Sequence, residues 1–501
     1  MRDITSHHAL AWNGPLITLL ALALALTAGL LLIRLTPLDG VFLVVLVVGG
    51  VATLIEPLAG LALALFLGPL RAYLSAEVPQ VPAQIGQVFV ALTLVVWLAR
   101  GLARREIRIP HPLGNHEGNH KGLPLLLPLL IFLGAALVSL WDAVELPAYG
   151  VPEFIKWVQI LLLFLFVSDH LTPRRLPWLL GTLLVTGLFQ AGVGIWQFGL
   201  RGAGPEHFGI LGGRFYRAYG TFEQPNPYAG YIGMTLSLVI GVAMEILWRG
   251  GDRERGKDSL SPCLPVSLSP PLVSIALGAA LLMSWSRGAW MGFGAAVLVM
   301  AIALPRKTRW GLLLVAVLVV AGLGLHATGL LPTSVTARLT DFSQDVQFED
   351  VRGVGISDVN YAVIERLAHW QAALEMTRYN LYTGVGFGCY EPAYREFALI
   401  NWPIALGHAH NYYLNIVAET GLIGLAAYLF LWGAVFWQTW RVTRRAEGLW
   451  RGVAIGLLGT WTHLSVHHLL DNLYVNNVHL FVGVLLGLLA FVMQRTRIAG
   501  Q

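Results

Sequence analysis

The sequence predicts an all-α, polytopic integral membrane protein with about 12 to 14 transmembrane helices and one large external loop. Of its 501 residues, 56% are hydrophobic and only 12% are charged, and the mean hydropathy is +0.65. A soluble domain could not bury that much apolar surface. Apolar runs of about 15 to 25 residues recur from end to end, and each is long enough to cross a bilayer as a helix. Because backbone polar groups in lipid must be satisfied within the protein, helices are expected.

The basic residues predict the orientation of the chain, because they occur in short clusters between the apolar runs. By the positive-inside rule these clusters face the cytoplasm. They also account for the net charge of +5, so we expect no nucleic-acid partner. The clusters lie at 100–108, 174–175, 249–257, 306–309, 441–451 and 495–497.

The predicted helices follow from parity, since two clusters on the same side of the membrane must be separated by an even number of crossings. We read the first run as an uncleaved anchor, because it is long and lacks a small-x-small cleavage site. Both termini are expected in the cytoplasm. The predicted spans lie near 15–33, 39–54, 57–73, 82–99, 124–141, 154–169, 177–199, 227–248, 310–327, 411–437, 452–470 and 476–494, with two short helices in 272–304 that meet at Ser286 and Arg287.

Two external loops stand out, and the second is too long for a simple connection between helices. Within it, Ile364, Leu367 and Leu374 recur at helical spacing, which predicts an amphipathic helix over 361–379 lying on the membrane surface. The first loop covers 200–226. The chain divides into N-terminal transmembrane helices at 1–200, a core at 201–440 that includes external loop 328–410, and a C-terminal helix pair at 441–501.

His408 and His410 stand where the long loop meets the helix near 411–437. There a polar substrate could meet a lipid-borne one. Histidine titrates near neutral pH, so His410 could act as a general base toward an acceptor hydroxyl, with His408 in contact with substrate. The simpler alternative is that His410 only caps the helix or anchors it at the interface.

An arginine at position 287 interrupts an apolar stretch, which costs several kcal/mol unless it meets an anion, water or the interface. Its planar guanidinium binds phosphate oxygens in pairs, and a diphosphate would suit it. Arg214 and Arg217 on the preceding external loop could complete an anion site. The alternatives are a membrane-interface turn for Arg287 and solvated loop charges for the other two.

Two further polar segments carry weaker signals. Asn226 lies between two prolines, which oppose helix continuation and kink the entry to the next span; it is a candidate for substrate contact, although Pro-Asn-Pro is often a simple turn. His463, His467 and Asp471 follow each other at i, i+4 spacing, which places them on one helix face. That is also metal-ligand spacing, but we identify no fourth ligand and expect a polar face toward a cavity, without metal.

A longer pattern links these residues. His410 and Asn411 are followed by nine residues, Gly421, two residues and Gly424. This spacing resembles the motif of the O-antigen ligase family. "RAYGTFEQPNPYAGYI" at 217–232, "SWSRGAW", and "ERLAHWQAALEM" with "YTGVGFGCY" resemble other segments of that family, so that the resemblance covers roughly 215–425.

The resemblance implies a polytopic transferase that moves a glycan from a polyprenyl-diphosphate carrier, such as undecaprenyl diphosphate, to an acceptor hydroxyl. Its site would lie on the external, periplasmic face of the cytoplasmic (inner) membrane, in contact with membrane lipids. The sequence has no Walker A loop, Asp-x-Asp motif or Rossmann fingerprint, and we expect neither cofactor nor metal. The implied catalytic residues are His410 and Arg287, and the implied substrate-binding residues are Arg217, Arg214, Asn226, Asn411 and His408.

The sequence is compatible with several functions. Members of the same family polymerise O-antigen or exopolysaccharide or glycosylate protein serines, so the acceptor could be a lipid, a glycan or a protein. A different class is an inorganic-anion (bicarbonate) transporter, whose path the intramembrane charged residues would line. A third is a non-catalytic scaffold in envelope-polysaccharide assembly.

Overall fold

A computed structural model describes residues 26, 29, 36–79, 81–104, 124–249, 270–330, 332–334, 336–338, 350–356 and 360–498. The structure is 76% helical with almost no strand, which confirms the all-α prediction. The described strands are β1 (Gly209–Ile210) and β2 (Phe215–Tyr216), which pair antiparallel as a short hairpin in the first external loop.

The described α-helices follow the predicted order. The first half of the chain forms α1 (Pro37–Ile55), α2 (Pro57–Leu67), α3 (Arg71–Glu77), α4 (Ile85–Ala103), α5 (Leu126–Ser139), α6 (Val151–His170), α7 (Leu176–Ile195) and α8 (Pro225–Arg249). The second half forms α9 (Pro270–Met283), α10 (Arg287–Ala303), α11 (Thr308–Ala327), α12 (Tyr361–Tyr379), α13 (Tyr390–Phe397), α14 (Tyr412–Arg445), α15 (Gly448–His467) and α16 (Val478–Ile498).

Among the described residues, eight helical segments are long and apolar enough to cross a membrane, and four shorter apolar helices accompany them. The polytopic prediction is therefore confirmed. The two short helices expected in 272–304 are α9 and α10, and they meet at the predicted turn. The first predicted span, 15–33, lies outside the described residues except for positions 26 and 29.

Close helix packing in the core depends on small residues. A Cβ added at Gly241 of α8 would lie 2.3 Å from the backbone nitrogen of Gly456 on α15, so the two backbones touch where both residues lack a side chain. Helix pairs in membranes gain most of their stability from such close backbone contact, because lipid supplies little hydrophobic drive. This contact holds α15 against α8.

The long loop between α11 and α14, which the sequence predicts to be external, builds a second core of its own. The buried side of α12 packs with Tyr390 and Tyr394 of α13 and with Trp402. The helix predicted over 361–379 is confirmed, and Ile364 and Leu367 are buried in it. Leu374 was assigned to the same apolar face but is 44% exposed, because the helix buries its side toward α13 and Ala418 instead.

Helix α14 is broken one third of the way along its length. Gly421 has φ 63° and ψ −168°, a conformation that side chains disfavour. The freed carbonyl groups of Ala418 and Glu419 accept hydrogen bonds at 3.0 Å from the amides of Val385 and Gly386, which belong to the glycine-rich turn of the external loop. The sequence predicted an uninterrupted span here; the break fastens the external core to the membrane helix.

Candidate active site

The start of α14 fixes the backbone around His410. The Asn411 side-chain oxygen accepts from the amides of Tyr413 and Leu414, at 3.0 and 3.1 Å, and so caps the helix. His410 itself has φ 51°, which is unusual for a residue with a side chain and is often found at functional sites. Its amide donates to His408 Nδ1 at 3.1 Å. The oxygen of Asn411 is thus engaged in capping; the predicted substrate contact of Asn411 is left to its amide nitrogen.

The imidazole of His410 lies between two other histidines. Its ring centroid is 4.5 Å from that of His408 and 5.6 Å from that of His369. Both ring nitrogens of His410 are buried, and neither has a hydrogen-bond partner among the residues that the structure describes. Burial, followed by the charges of His408, Arg366 and His369, holds the pKa of His410 far below its ordinary value. The ring is therefore neutral at neutral pH, with a lone pair available.

His408 faces the C-terminal part of the chain. Its Nε2 lies 3.6 Å from Asp471 Oδ1. Helix α15 ends at His467, so Asp471 lies in the turn beyond the helix. The prediction that His463, His467 and Asp471 share one helix face is wrong for Asp471, because the chain leaves the helical path first. His463 and His467 remain buried inside α15, with ring centroids 5.6 Å apart.

Three of these side chains could also hold a metal ion. One ligand atom each from His408, His410 and Asp471 lies within 4.8 Å of the other two. The positive charges of Arg217 and Arg366 oppose the binding of a cation here, because Arg217 interacts with Asp471 and Arg366 interacts with His408. The expectation that no metal is required stays a prediction.

Asn226 joins two of the segments singled out in the sequence. Its side-chain oxygen accepts from Arg217 Nη2 at 3.1 Å and from Ser286 Oγ at 2.9 Å. Arg217 Nε donates to the carbonyl oxygen of Ser284 at 3.0 Å. These bonds hold the first external loop, the start of α8 and the turn before α10 together. The structure therefore brings Arg217, Asn226 and the residue next to Arg287 into one site.

Arginines converge at this site. Burial, followed by the like charges of Arg338, Arg366 and Arg287, lowers the pKa of Arg217 to about 9, and Asp471 opposes this shift. The four guanidinium groups exceed the nearby acidic charge, so the site favours an anion. Arg338 also donates to the carbonyl oxygen of Trp285 at 3.3 Å. Sequence reasoning missed Arg338 and Arg366, although Arg366 lies in the "ERLAHW" segment that carries the resemblance.

Arg214 has a different position. It lies exposed on the turn between β1 and β2, with its guanidinium carbon 5.6 Å from the centroid of the Phe215 ring. Solvated arginines commonly rest on an aromatic face in this way. Its predicted contact with substrate stays a prediction.

The fold and this site define a class, the multi-pass membrane proteins in which a cluster of arginines and histidines lies at the ends of apolar helices. A sequence model of a family described as O-Antigen ligase matches residues 272–429. The match includes Arg287, His408 and His410, and it confirms the resemblance over this part of the chain. The match supports a membrane enzyme of polysaccharide biosynthesis that transfers glycosyl groups, with a lipid-linked glycan as donor and a glycan as acceptor in general. No curated protein matches the chain.

Proposed function

We propose that this protein transfers a glycan from a polyprenyl-diphosphate carrier to an acceptor hydroxyl at the external face of the cytoplasmic membrane, without metal. The observation that carries the proposal is that His410, a neutral histidine whose ring nitrogens have no partner among the described residues, lies near Arg366, whose charge also acts on Arg217. Diphosphate and hydroxyl chemistry need these two kinds of group at once.

The arginines bind the diphosphate of the donor. Arg287 is the first residue of α10, so the amides of that helix end add a partial positive charge beside its guanidinium. Arg217 is held rigid by Asn226 and the carbonyl oxygen of Ser284, and a preorganised cation stabilises developing negative charge more effectively than a flexible one. Arg214 and His408 would contribute from the edge of the site.

His410 acts on the acceptor. A ring nitrogen takes the proton of the acceptor hydroxyl while its oxygen bonds to the anomeric carbon of the donor sugar. The bond from that carbon to the phosphate oxygen breaks, and polyprenyl diphosphate leaves with the electron pair. The proton then passes from the ring to the leaving diphosphate or to water, which restores the neutral imidazole.

The acceptor remains a choice among a lipid, a glycan and a protein hydroxyl. A second candidate function is inorganic-anion transport, which the same cluster of arginines favours, since it would attract bicarbonate as well as diphosphate. Substitution of His410 distinguishes the two functions, because glycan transfer requires a base and anion transport does not.

The test is glycan transfer by the purified protein in liposomes that contain a polyprenyl-diphosphate glycan. We expect His410→Ala and Arg287→Ala to lose at least about 100-fold in release of polyprenyl diphosphate. Matched controls are His326→Ala and Arg378→Ala, whose side chains are exposed elsewhere, and both should retain native transfer. Transfer by His410→Ala at the native rate, or anion flux without transfer in the native protein, would contradict the proposal.

A further inference from the structure

A second histidine faces His410 from the external core. His369 on α12 is fully buried, and its ring centroid lies 5.6 Å from that of His410. Its imidazole contacts Tyr390 and Tyr394 of the second core and also the ring of His410 in the site.

The hydrogen bonds of Tyr390 fix the tautomer of His369. The Tyr390 hydroxyl donates to the carbonyl oxygen of His369 at 3.0 Å. A phenol carries one hydrogen, so the same hydroxyl can only accept from His369 Nδ1, which lies 2.9 Å away. His369 therefore carries its proton on Nδ1, and Nε2 bears a lone pair.

That lone pair accepts no hydrogen bond from the residues that the structure describes. His369 Nε2 is buried and has no hydrogen-bond partner among the described residues. Burial and the neighbouring His408 lower the pKa of His369 to about 4, so Nε2 is unprotonated at neutral pH. A buried acceptor left unpaired is costly and rare, and it indicates a partner that forms its bond in another state of the site.

The geometry favours His410 as that partner. Two imidazole rings joined by an N–H···N hydrogen bond of about 3 Å have their centroids roughly 5 Å apart, close to the 5.6 Å observed. The planes of the two rings are 67° apart, which such a bond tolerates. His408 cannot take this part, because its Nδ1 already accepts the His410 amide and its Nε2 faces Asp471.

We propose that His369 is a positioning residue for His410, and that its Nε2 accepts a hydrogen bond from one ring nitrogen of His410 when substrate is bound. The other ring nitrogen of His410 then presents its lone pair to the acceptor hydroxyl. The inference rests on the proposed function of His410 as a base. It adds a residue that selects which nitrogen of His410 reacts.

A neutral orienting group suits this site better than a carboxylate. An acid beside His410 would pair with Arg366 and reduce the positive charge that binds the diphosphate. An imidazole accepts the same hydrogen bond without adding charge. Tyr390, which fixes it, is itself anchored through its amide to Glu419 Oε1 at 3.2 Å, beside the break in α14.

The experiment compares substitutions that keep or remove an acceptor at this position, with transfer in liposomes as the assay. His369→Gln places an amide oxygen near Nε2, and we expect kcat within about threefold of native. His369→Leu removes the acceptor, and kcat should fall at least about 30-fold while the donor KM stays within about twofold. This split between kcat and KM separates a positioning role from general damage to the fold.

A second pair of variants tests the tautomer without changing His369. Tyr390→Phe removes the hydroxyl that fixes Nδ1–H, so kcat should fall at least about tenfold. Tyr394→Phe is the matched control, because Tyr394 lies 4.7 Å from the same ring, centroid to centroid, but its hydroxyl bonds the carbonyl oxygen of Trp402. It should retain native kcat.

Three results would overturn the inference alone: His369→Leu with native kcat, His369→Gln as slow as His369→Leu, or Tyr390→Phe as active as Tyr394→Phe. In each case His410→Ala would still abolish transfer. If His410→Ala transfers at the native rate, the proposed function fails instead, and the role of His369 fails with it.

Discussion

At the scale of single residues, Asn226 connects two parts of the site that the chain supplies from distant segments. One oxygen atom accepts from both Arg217 and Ser286. Removing the Asn226 side chain leaves the Arg217 guanidinium and the Ser286 hydroxyl without this acceptor, and an unpaired buried polar group costs about 1–3 kcal/mol. The effect should fall mainly on Arg217, whose guanidinium would no longer be held toward the diphosphate.

We therefore expect Asn226→Ala to raise the donor KM about tenfold, equivalent to about 1.4 kcal/mol, with a smaller change in kcat. Gln224→Ala removes an exposed amide two residues earlier and should leave KM unchanged. Steady-state transfer with a titrated donor measures both. Native KM in Asn226→Ala would show that this contact does not hold Arg217 in its binding position.

The buried His369 also makes stability depend on pH. Burial lowers its pKa from 6.5 to about 4, so below pH 6.5 the unfolded chain binds a proton that the folded protein does not. Stability must therefore fall as the pH falls from about 6.5 to about 4, by about 2 kcal/mol at pH 5 from this group. We expect His369→Gln to lose less stability than native protein between pH 8 and pH 5 in thermal unfolding. Equal losses would mean that His369 protonates freely in the folded protein.

The site was only partly predictable at this scale. His410, Arg287, Arg217 and Asn226 stand in recognisable local patterns, and three of them lie in or next to one hydrogen-bonded group. His369 also stands in the "ERLAHW" segment, but that pattern does not indicate its role, because the role depends on a hydroxyl 21 positions away in sequence. Contacts of that kind are decided by how the external core folds and not by any spacing within a helix.

At the scale of elements, the break in α14 explains why a glycine occupies position 421. A Cβ there would lie 2.2 Å from the carbonyl carbon of Tyr382, and its φ is 63°. Both steric overlap and backbone strain oppose any side chain. The same stretch of loop donates and accepts hydrogen bonds across the break, so it is fastened to α14 on both sides of Gly421.

Gly421→Ala should therefore lower stability by at least about 2–4 kcal/mol and abolish transfer, because the external core would lose its attachment beside His410. Gly433→Ala in the same helix is the matched control: a Cβ there meets nothing within 4 Å. It should be neutral or stabilise the helix by up to about 1 kcal/mol. Thermal unfolding in detergent and transfer in liposomes measure the two effects. Equal behaviour of the two variants would contradict a structural role for the break.

Helix positions were predictable from sequence and helix irregularities were not. Apolar runs of membrane length and the positive-inside rule placed the spans, since lipid imposes one rule on every residue of a span. The carbonyl groups of Ala418 and Glu419, which the break frees from the helix, instead accept hydrogen bonds from a loop about 30 residues earlier in the chain. A hydropathy pattern does not reveal such a contact. For the same reason the sequence did not show that one side of α12 packs on a core that the loop itself builds, and its position on the membrane surface stays a prediction.

At the scale of the whole molecule, the site and the basic clusters lie at opposite ends of the same helices. The site gathers at the first residues of α10 and α14 and just beyond the end of α15. The other ends of these helices meet where Arg444 donates to the carbonyl oxygen of Pro305 at 2.6 Å and Arg451 to that of Ala303 at 3.1 Å. If the basic ends face the cytoplasm, the site must face outward.

Cysteine labelling in intact cells tests this orientation directly. In a background that lacks Cys263 and Cys389, Ile400→Cys places a thiol on the external loop, where Ile400 is 90% exposed. Glu447→Cys places one between α14 and α15 at the opposite end, where the Glu447 side chain is 83% exposed. A membrane-impermeant maleimide should label Ile400→Cys in intact spheroplasts and Glu447→Cys only after permeabilisation. The reverse pattern would put the site inside the cell, where a polyprenyl-linked glycan would have to be used before it crosses the membrane, and the proposed external transfer would be wrong.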